Sequence, residues 1–304
     1  MLPKAADPAA LYWELTVTLD AEAAETAEVV TNRLWELGAV GVVEESARGG
    51  AALRAFFPPG AEPAALTAAL RDYLEGLAAL ETPGVPAGIA VAPVPAEPWA
   101  EAWRAHFRPV PVGRRLLVCP PWEAPSEPQD GRVVVLIEPG RAFGTGGHGS
   151  TRSCLELLER VLETARIPRV LDAGCGSGIL AIAAARLGVA RVDAIDVDPD
   201  AVAATVDNAR RNGVADRVRG GLASIDAWTG PAAPLVLANL LAAAHVALAP
   251  TLAELVSPGG NLIAGGLLTA EVPVVAGAFA AAGCWLVEVA EHEGWASLLL
   301  RRAG

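Results

Sequence analysis

The run VLDAGCGSGILAIAAARLG, residues 170–188, constrains this chain more than any other stretch. A hydrophobic strand-like segment ends in Asp172, glycines alternate at Gly174, Gly176 and Gly178, and a helix-like alanine-rich segment begins. A strand turning sharply into a helix is the opening of a βαβ unit, which belongs to a parallel sheet covered by helices. Glycines in such a turn adopt angles that other residues resist and let the backbone approach a ligand closely. A dinucleotide fingerprint would need glycine at 174, 176 and 179. Position 179 is Ile179, so the spacing is G-x-G-x-G. That points away from NAD and towards S-adenosylmethionine.

The next strand-like segment strengthens this reading. RVDAIDVDPDAV places Asp196 at a strand end, 22 residues after Gly174. A carboxylate there can accept both ribose hydroxyls of an adenosine. Asp198 reads as a helix N-cap, with Pro199 at the first helical position. LVLANLLAAAH then brings Asn239 to the carboxyl edge of a sheet, where open α/β folds bind ligands. Other amino-methyltransferases carry Asn/Asp-Pro-Pro-aromatic at this point, with a ring over a planar acceptor. Asn239-Leu240-Leu241-Ala242 keeps the polar carbonyl without the aromatic platform, which favours a flexible aliphatic amine. A buried asparagine capping a turn is the alternative reading.

The remaining pattern divides the chain. YWELTVTLD alternates like a half-buried strand; Ala23, Ala27, Val30, Leu34 and Leu37 then repeat at helical spacing up to Gly38. AVGVVEE and AALRAFF read as strands around a turn at Ser46–Gly50, ALTAALRDYLEGLAAL as a helix and GIAVAPV as a last strand. The order β-α-β-β-α-β predicts a small α+β ferredoxin-like domain over residues 1–94. Residues 95–112 read as a proline- and tryptophan-rich linker with a short helix, Trp99–Phe107. Trp99 and Trp103 share one face of that helix and read as packing anchors at a domain junction, with a ligand cage as the alternative. From 113 to 304, strand-like RVVVLIE, RVLDAG, RVDAIDVD, LVLANLL, NLIAGGLL and CWLVEVA alternate with helices, which predicts an α/β domain with a mostly parallel sheet.

Charge and cysteines narrow the function. A formal net charge of −12 argues against the basic face that direct nucleic-acid binding needs. Residues 1–109 hold 7 basic and 15 acidic side chains, a distribution that suits a basic protein partner or plain solubility. The four cysteines form no C-x-x-C pair, so neither a zinc site nor a disulfide framework is expected, and a reducing cytoplasm is the simplest setting. No secretory leader is visible in MLPKAADPAALYWEL. The uncharged run Pro231–Ala253 is interrupted by Pro234, Asn239, His245 and Pro250, and reads as a buried strand and helix rather than a membrane span.

GTGGHGST, residues 144–151, follows a strand-like run and precedes the helix-like LELLERVL. Its glycine spacing imitates a phosphate-binding loop, but Ser150 stands at the lysine position. Together with EPWAEAWRAHFRPVPVG, AFGTGGHGSTRSCLELLE, ANLLA, SPGGNLIAGGLL and EGWASLLL, this segment resembles the PrmA family, the methyltransferases of ribosomal protein L11, over nearly the whole chain. The resemblance implies a Rossmann-like class I methyltransferase domain behind a ferredoxin-like substrate-recognition domain. It also implies Thr151, Gly174, Asp196 and Asn239 around S-adenosylmethionine, and residues 144–149 folded over it as a lid. The family pattern Thr-His-x-Thr-Thr reads Gly147-His148-Gly149-Ser150-Thr151 here, and the usual Ser/Thr-Gly-Ile-Leu is Gly265-Gly266-Leu267-Leu268.

The implied reaction is in-line methyl transfer to a neutral amine, with Asn239 orienting the attacking nitrogen through its carbonyl. His148 and His245 are candidates for a general base by residue type alone. Three other readings stay open: a PrmA-like lysine methyltransferase of another protein, such as the electron-transfer flavoprotein β-subunit; an NAD-dependent oxidoreductase; and a non-catalytic module that binds adenosylmethionine.

Overall fold

Leu15 and Val17 are buried along the first strand while Thr18 beyond them is exposed, as the alternation in YWELTVTLD requires. The computed structural model describes residues 11–20, 24–39, 41–47, 50–79, 88–95, 107–125, 129–139 and 146–304, and the chain divides into two units at Phe107. The smaller unit runs β1 (Leu11–Asp20), α1 (Ala24–Glu36), β2 (Gly41–Ala47), β3 (Gly50–Phe57), α2 (Pro63–Ala79) and β4 (Gly88–Pro95). Its sheet has the order β2-β3-β1-β4 with antiparallel neighbours throughout, the arrangement of a ferredoxin-like sandwich. Ala27, Val30 and Leu34 of α1 and Leu70 and Leu74 of α2 close over Leu15, Val17, Leu53 and Phe57. The strands β2 and β3 run to Ala47 and from Gly50, so they extend into the stretch expected as turn; Arg48 and Gly49 lie outside the described residues. The expected linker helix lies outside them too, apart from Phe107, and with it Trp99 and Trp103.

The larger unit, Arg108–Gly304, begins inside the stretch expected to be linker. Val110–Val112 forms β5, an edge strand antiparallel to β6 (Leu116–Cys119). Pro111 is tolerated there because an edge position needs no amide donor on its outer side, while Val112 is buried. The strand in RVVVLIE, β7 (Val133–Leu136), lies parallel to β6 in this three-stranded sheet and does not join the main one. Its end is clasped by asparagines of α5 (Pro199–Arg211) and the residue that caps it. Asn212 accepts from the Leu136 amide at 2.8 Å and donates to its carbonyl at 2.6 Å, and Asn208 accepts from the Glu138 amide at 3.1 Å.

The main sheet has seven strands: β8 (Arg169–Ala173), β9 (Arg191–Asp196), β10 (Val218–Leu222), β11 (Ala233–Asn239), β12 (Val256–Leu268), β13 (Cys284–His292) and β14 (Trp295–Arg302). Their order is β10-β9-β8-β11-β12-β14-β13; the first five are parallel, and β14 is antiparallel to both its neighbours. Period-two alternation sends Val170, Leu235 and Leu237 to one face, and Leu171, Val236 and Ala238 to the other. The first face is covered by α3 (Gly149–Thr164), α4 (Ile179–Arg186) and α5; the second by α6 (Ala242–Leu255) and α7 (Val272–Ala281). This is the doubly wound, Rossmann-like layering that residues 170–188 demand. The uncharged run 231–253 supplies β11 and most of α6, and no helix among the described residues is long and apolar enough to cross a membrane.

Candidate functional site

The strand order reverses between β8 and β11, which creates a crevice at their carboxyl ends. The glycine loop leaves β8 on one side of that crevice, and Asn239 ends β11 on the other. Gly174, Gly176 and Gly178 have φ of 80°, 52° and 80°, a left-handed region costly to side-chain-bearing residues. Space forbids a side chain as well. A Cβ on Gly174 would lie 2.6 Å from the Leu240 side chain, and one on Gly178 would lie 2.8 Å from Thr205 Oγ1. The loop is tied down by the Gly174 and Cys175 amides, which donate to Ile195 O at 2.9 and 3.0 Å. Thr205 adds a bond from its hydroxyl to Gly176 O at 3.0 Å.

Asp196 ends β9 beside this loop. Its Oδ2 accepts from the Gly176 amide and its Oδ1 from the Asp198 amide, both at 3.0 Å. Each carboxylate oxygen has a second lone pair, so these bonds orient the group and leave capacity for two hydroxyls. Asp198 accepts from the Asp200 amide at 2.8 Å and caps α5, with Pro199 at its first position. Val197, Leu222 and Leu241 stand exposed after or at the ends of β9, β10 and β11. They give this edge an apolar rim around polar groups, the composition of a small-molecule site.

Asp172 lies beneath the loop, fully buried. Its Oδ2 accepts from the Ala181 amide at 3.0 Å, satisfying one of the orphan donors in the first turn of α4, and its Oδ1 has no protein partner. Burial raises its pKa to about 7; the Ala181 bond opposes that shift and the Asp196 charge adds to it.

Asn239 meets the crevice from the other side, and Thr151 follows its neighbour Ser150 in sequence. Thr151 belongs to the first turn of α3, because the helix begins at Gly149 and takes in residues expected as loop. Its hydroxyl is buried with no partner among the described residues. Asn239 Nδ2 lies 3.4 Å from Ser150 Oγ, and its Oδ1 is buried without a partner among the described residues. Beside it, β12 makes a bulge at Gly265-Gly266, where φ of Gly266 is 81° and the register with β14 shifts.

The two histidines separate. His245 is fully buried, and its Nε2 donates to Gly265 O at 2.8 Å, fastening the bulge. Burial lowers its pKa to about 4 against the carbonyl bond, so the ring is neutral and structural rather than a base at the crevice. His148 is the N-cap of α3, bonded through Nδ1 to Ser150 Oγ at 2.8 Å and packed on Trp295 at 4.4 Å between centroids. Burial lowers its pKa as well, opposed by the charge of Glu293.

The structure therefore brings Gly174, Gly176, Gly178 and Asp196 to one side of a crevice and Asn239 to the other, with Thr151 buried next in sequence to the Ser150 that Asn239 bonds. Gly144 and Thr145 of the expected lid lie outside the described residues. Two features were missed by sequence reasoning. Asp172 could have been singled out as a lone carboxylate inside a buried strand. Ser150 stood out only as a hydroxyl where the family pattern has threonine, and its bond to Asn239, which crosses 89 residues, left no local signal.

Residues 11–303 match the family described as ribosomal protein L11 methyltransferase (PrmA). The chain is 37% identical to the ribosomal protein L11 methyltransferase of Pelobacter propionicus, over 95% of this chain and 97% of that one. It is 43% identical to the protein of that name from Geobacter metallireducens, over 83% of this chain and 82% of the other. Among solved structures, the ribosomal protein L11 methylase of Lactobacillus delbrueckii subsp. bulgaricus superposes with a TM-score of 0.60 at 28% identity, covering 65% of this chain and all of that one.

Proposed function

The chain belongs to the PrmA family of S-adenosylmethionine-dependent ribosomal protein L11 methyltransferases, and we propose that it transfers methyl groups to amino groups of ribosomal protein L11. Lysine side chains are the acceptors, with the N-terminal amine as a further group of the same chemistry. The small unit, with its excess of acidic side chains, is the part that engages this protein partner. The setting is a reducing cytoplasm, in keeping with Cys119, Cys154, Cys175 and Cys284 as buried free thiols.

The residues present suit the cofactor. Positive φ at Gly174, Gly176 and Gly178 leaves a side-chain-free approach, Asp196 keeps lone pairs for ribose hydroxyls, and Thr151 offers a buried, unpartnered hydroxyl. When bound, S-adenosylmethionine supplies a methyl group on a positively charged sulfur. The chain's own task is to present a neutral amine in line with it. A free lysine has a pKa near ~10.4, so its proton must leave to water as the amine is desolvated. Asn239 then accepts a hydrogen of the neutral amine through Oδ1, which aims the nitrogen lone pair. Most of the acceleration comes from this alignment.

The observation that carries the reading is the buried, unpartnered Oδ1 of Asn239 at the switch point. The test uses the purified chain, methyl-labelled cofactor and a bacterial lysate, with the labelled band identified by mass spectrometry. Label in ribosomal protein L11 supports the reading; label confined to another protein overturns the substrate. Asn239→Ala should reduce transfer about 100-fold while cofactor affinity changes little. Equal losses in rate and affinity would sink the orienting role.

A further inference from the structure

An amide side chain is nearly symmetric in shape, so which end of Asn239 meets the acceptor amine is decided by its neighbours. Nδ2 faces Ser150 Oγ at 3.4 Å and can only donate, so the Ser150 oxygen accepts. The single hydroxyl proton of Ser150 is then directed away from Asn239. His148 Nδ1, 2.8 Å from the same oxygen, receives it in the ring tautomer protonated on Nε2. With the ring in that tautomer, a carbonyl at the Nδ2 position would have no donor to meet.

Both partners are themselves held. The His148 ring is tilted 59° against Trp295 of β14. Ser153 Oγ donates to the Ser150 carbonyl at 3.0 Å and lies 2.7 Å from Ser297 Oγ, which joins the first turn of α3 to β14. Ser150 is only 1% exposed, so water does not compete for its hydroxyl.

We propose that Ser150 is a positioning residue: supported by His148, its hydroxyl holds the Asn239 amide with the carbonyl turned towards the acceptor amine. The inference rests on the role assigned to Asn239 above. Without the hydroxyl the amide is free to rotate and present Nδ2, a donor, to an amine that needs an acceptor. Alignment of the nitrogen is then lost, while the cofactor groups at Gly174–Gly178 and Asp196 are untouched.

The experiment is a double-mutant cycle on the full chain, with methyl transfer to purified ribosomal protein L11 and cofactor affinity measured in parallel. Ser150→Ala should lower kcat about tenfold to 100-fold with cofactor affinity within about threefold of native. Ser150→Thr keeps a hydroxyl and should recover kcat to within about fivefold of native. The combined Ser150→Ala, Asn239→Ala protein should be no slower than Asn239→Ala alone, because Ser150 acts through that amide. Multiplying effects, native kcat in Ser150→Ala, or a threonine variant that binds cofactor normally yet is as slow as alanine would each overturn the inference. Native kcat in Asn239→Ala would instead remove the orienting role of Asn239 and this inference with it, an outcome distinct from failure of the cycle.

Discussion

Two glycine-rich turns border the crevice, and they differ in how many of their glycines the structure requires and why. In the turn after β8, the backbone itself requires glycine: Gly174, Gly176 and Gly178 all have positive φ. In the turn entering α3, Gly149 has an ordinary φ, but a Cβ there would lie 2.6 Å from the His292 carbonyl and 2.9 Å from Trp295. Gly147, two residues earlier, has nothing among the described residues within 4 Å of the position a Cβ would take. The first turn thus needs all three glycines for conformation, the second needs Gly146 for conformation, with φ of 89°, and Gly149 for close approach to the β13–β14 hairpin, and Gly147 meets neither demand. Identical residues in sequence carry unequal structural weight, and substitution should rank them.

The largest effect belongs to Gly178→Ala. A left-handed alanine costs ~1–2 kcal/mol, and contact with Thr205, whose Cα is 3.0 Å from the new Cβ, adds strain. A combined loss of about 3–5 kcal/mol is expected in denaturant unfolding, with cofactor binding reduced more than 100-fold by calorimetry. Retained affinity in this variant would erase the distinction between the two turns.

Asp172 supports the first turn, and it introduces a pH dependence. Its folded pKa is raised from 3.8 to about 7, so the folded state holds the proton more tightly than the unfolded chain does. Its contribution is fully present below about pH 4 and is lost as pH rises to about 7. Asp172→Asn should therefore match native stability near pH 4 and exceed it by about 2–4 kcal/mol above pH 7. Melting curves across that range give the comparison; a constant difference at every pH would contradict the assignment.

Gly149→Ala comes next. Overpacking against a backbone carbonyl costs about 1–3 kcal/mol, because a main-chain atom cannot swing aside like the end of a side chain. The expected signature is loosened hairpin amides, read by hydrogen exchange at residues 292–295, with the glycine loop at 174–178 unchanged. Exchange that changes at the loop instead would mean that the turns are one mechanical unit.

Much of this contrast was legible beforehand, and its limits are physical. The turn after β8 could be read because its cause is local: strand, positive-φ glycines and helix follow one another in sequence, as do Asp198 and the helix it caps. Asp196 and Asn239 were readable because strand ends in a parallel sheet meet at one edge. The sheet that receives RVVVLIE was not readable, since a strand pattern specifies pairing but not partner, and Asn208 and Asn212 decide the matter from another element. The start of α3 was misplaced because Gly149-Ser150 reads as loop by propensity, while packing of that turn against β14 overrides it. His245 looked like a base by type, and only its burial against Gly265 shows its fastening role.

Gly147 supplies the smallest and most discriminating prediction. It stands where the family pattern has threonine, and its exposed position, open among the described residues, admits a side chain without strain in the folded state. Replacement should act chiefly through the unfolded chain, where a side chain restricts the backbone. Gly147→Ala is therefore expected to raise stability by about 0.4–1 kcal/mol, with methyl transfer within about twofold of native. Gly147→Thr should behave the same way, because neither variant touches Ser150 or the His292 carbonyl. A loss of stability in both would place an unrecognised constraint at Gly147 and make the two turns alike. A gain in stability with a marked fall in kcat would give the glycine a role in motion at the mouth of the crevice. Unchanged kinetics would leave Ser150, not Gly147, as the position in this turn through which catalysis is tuned.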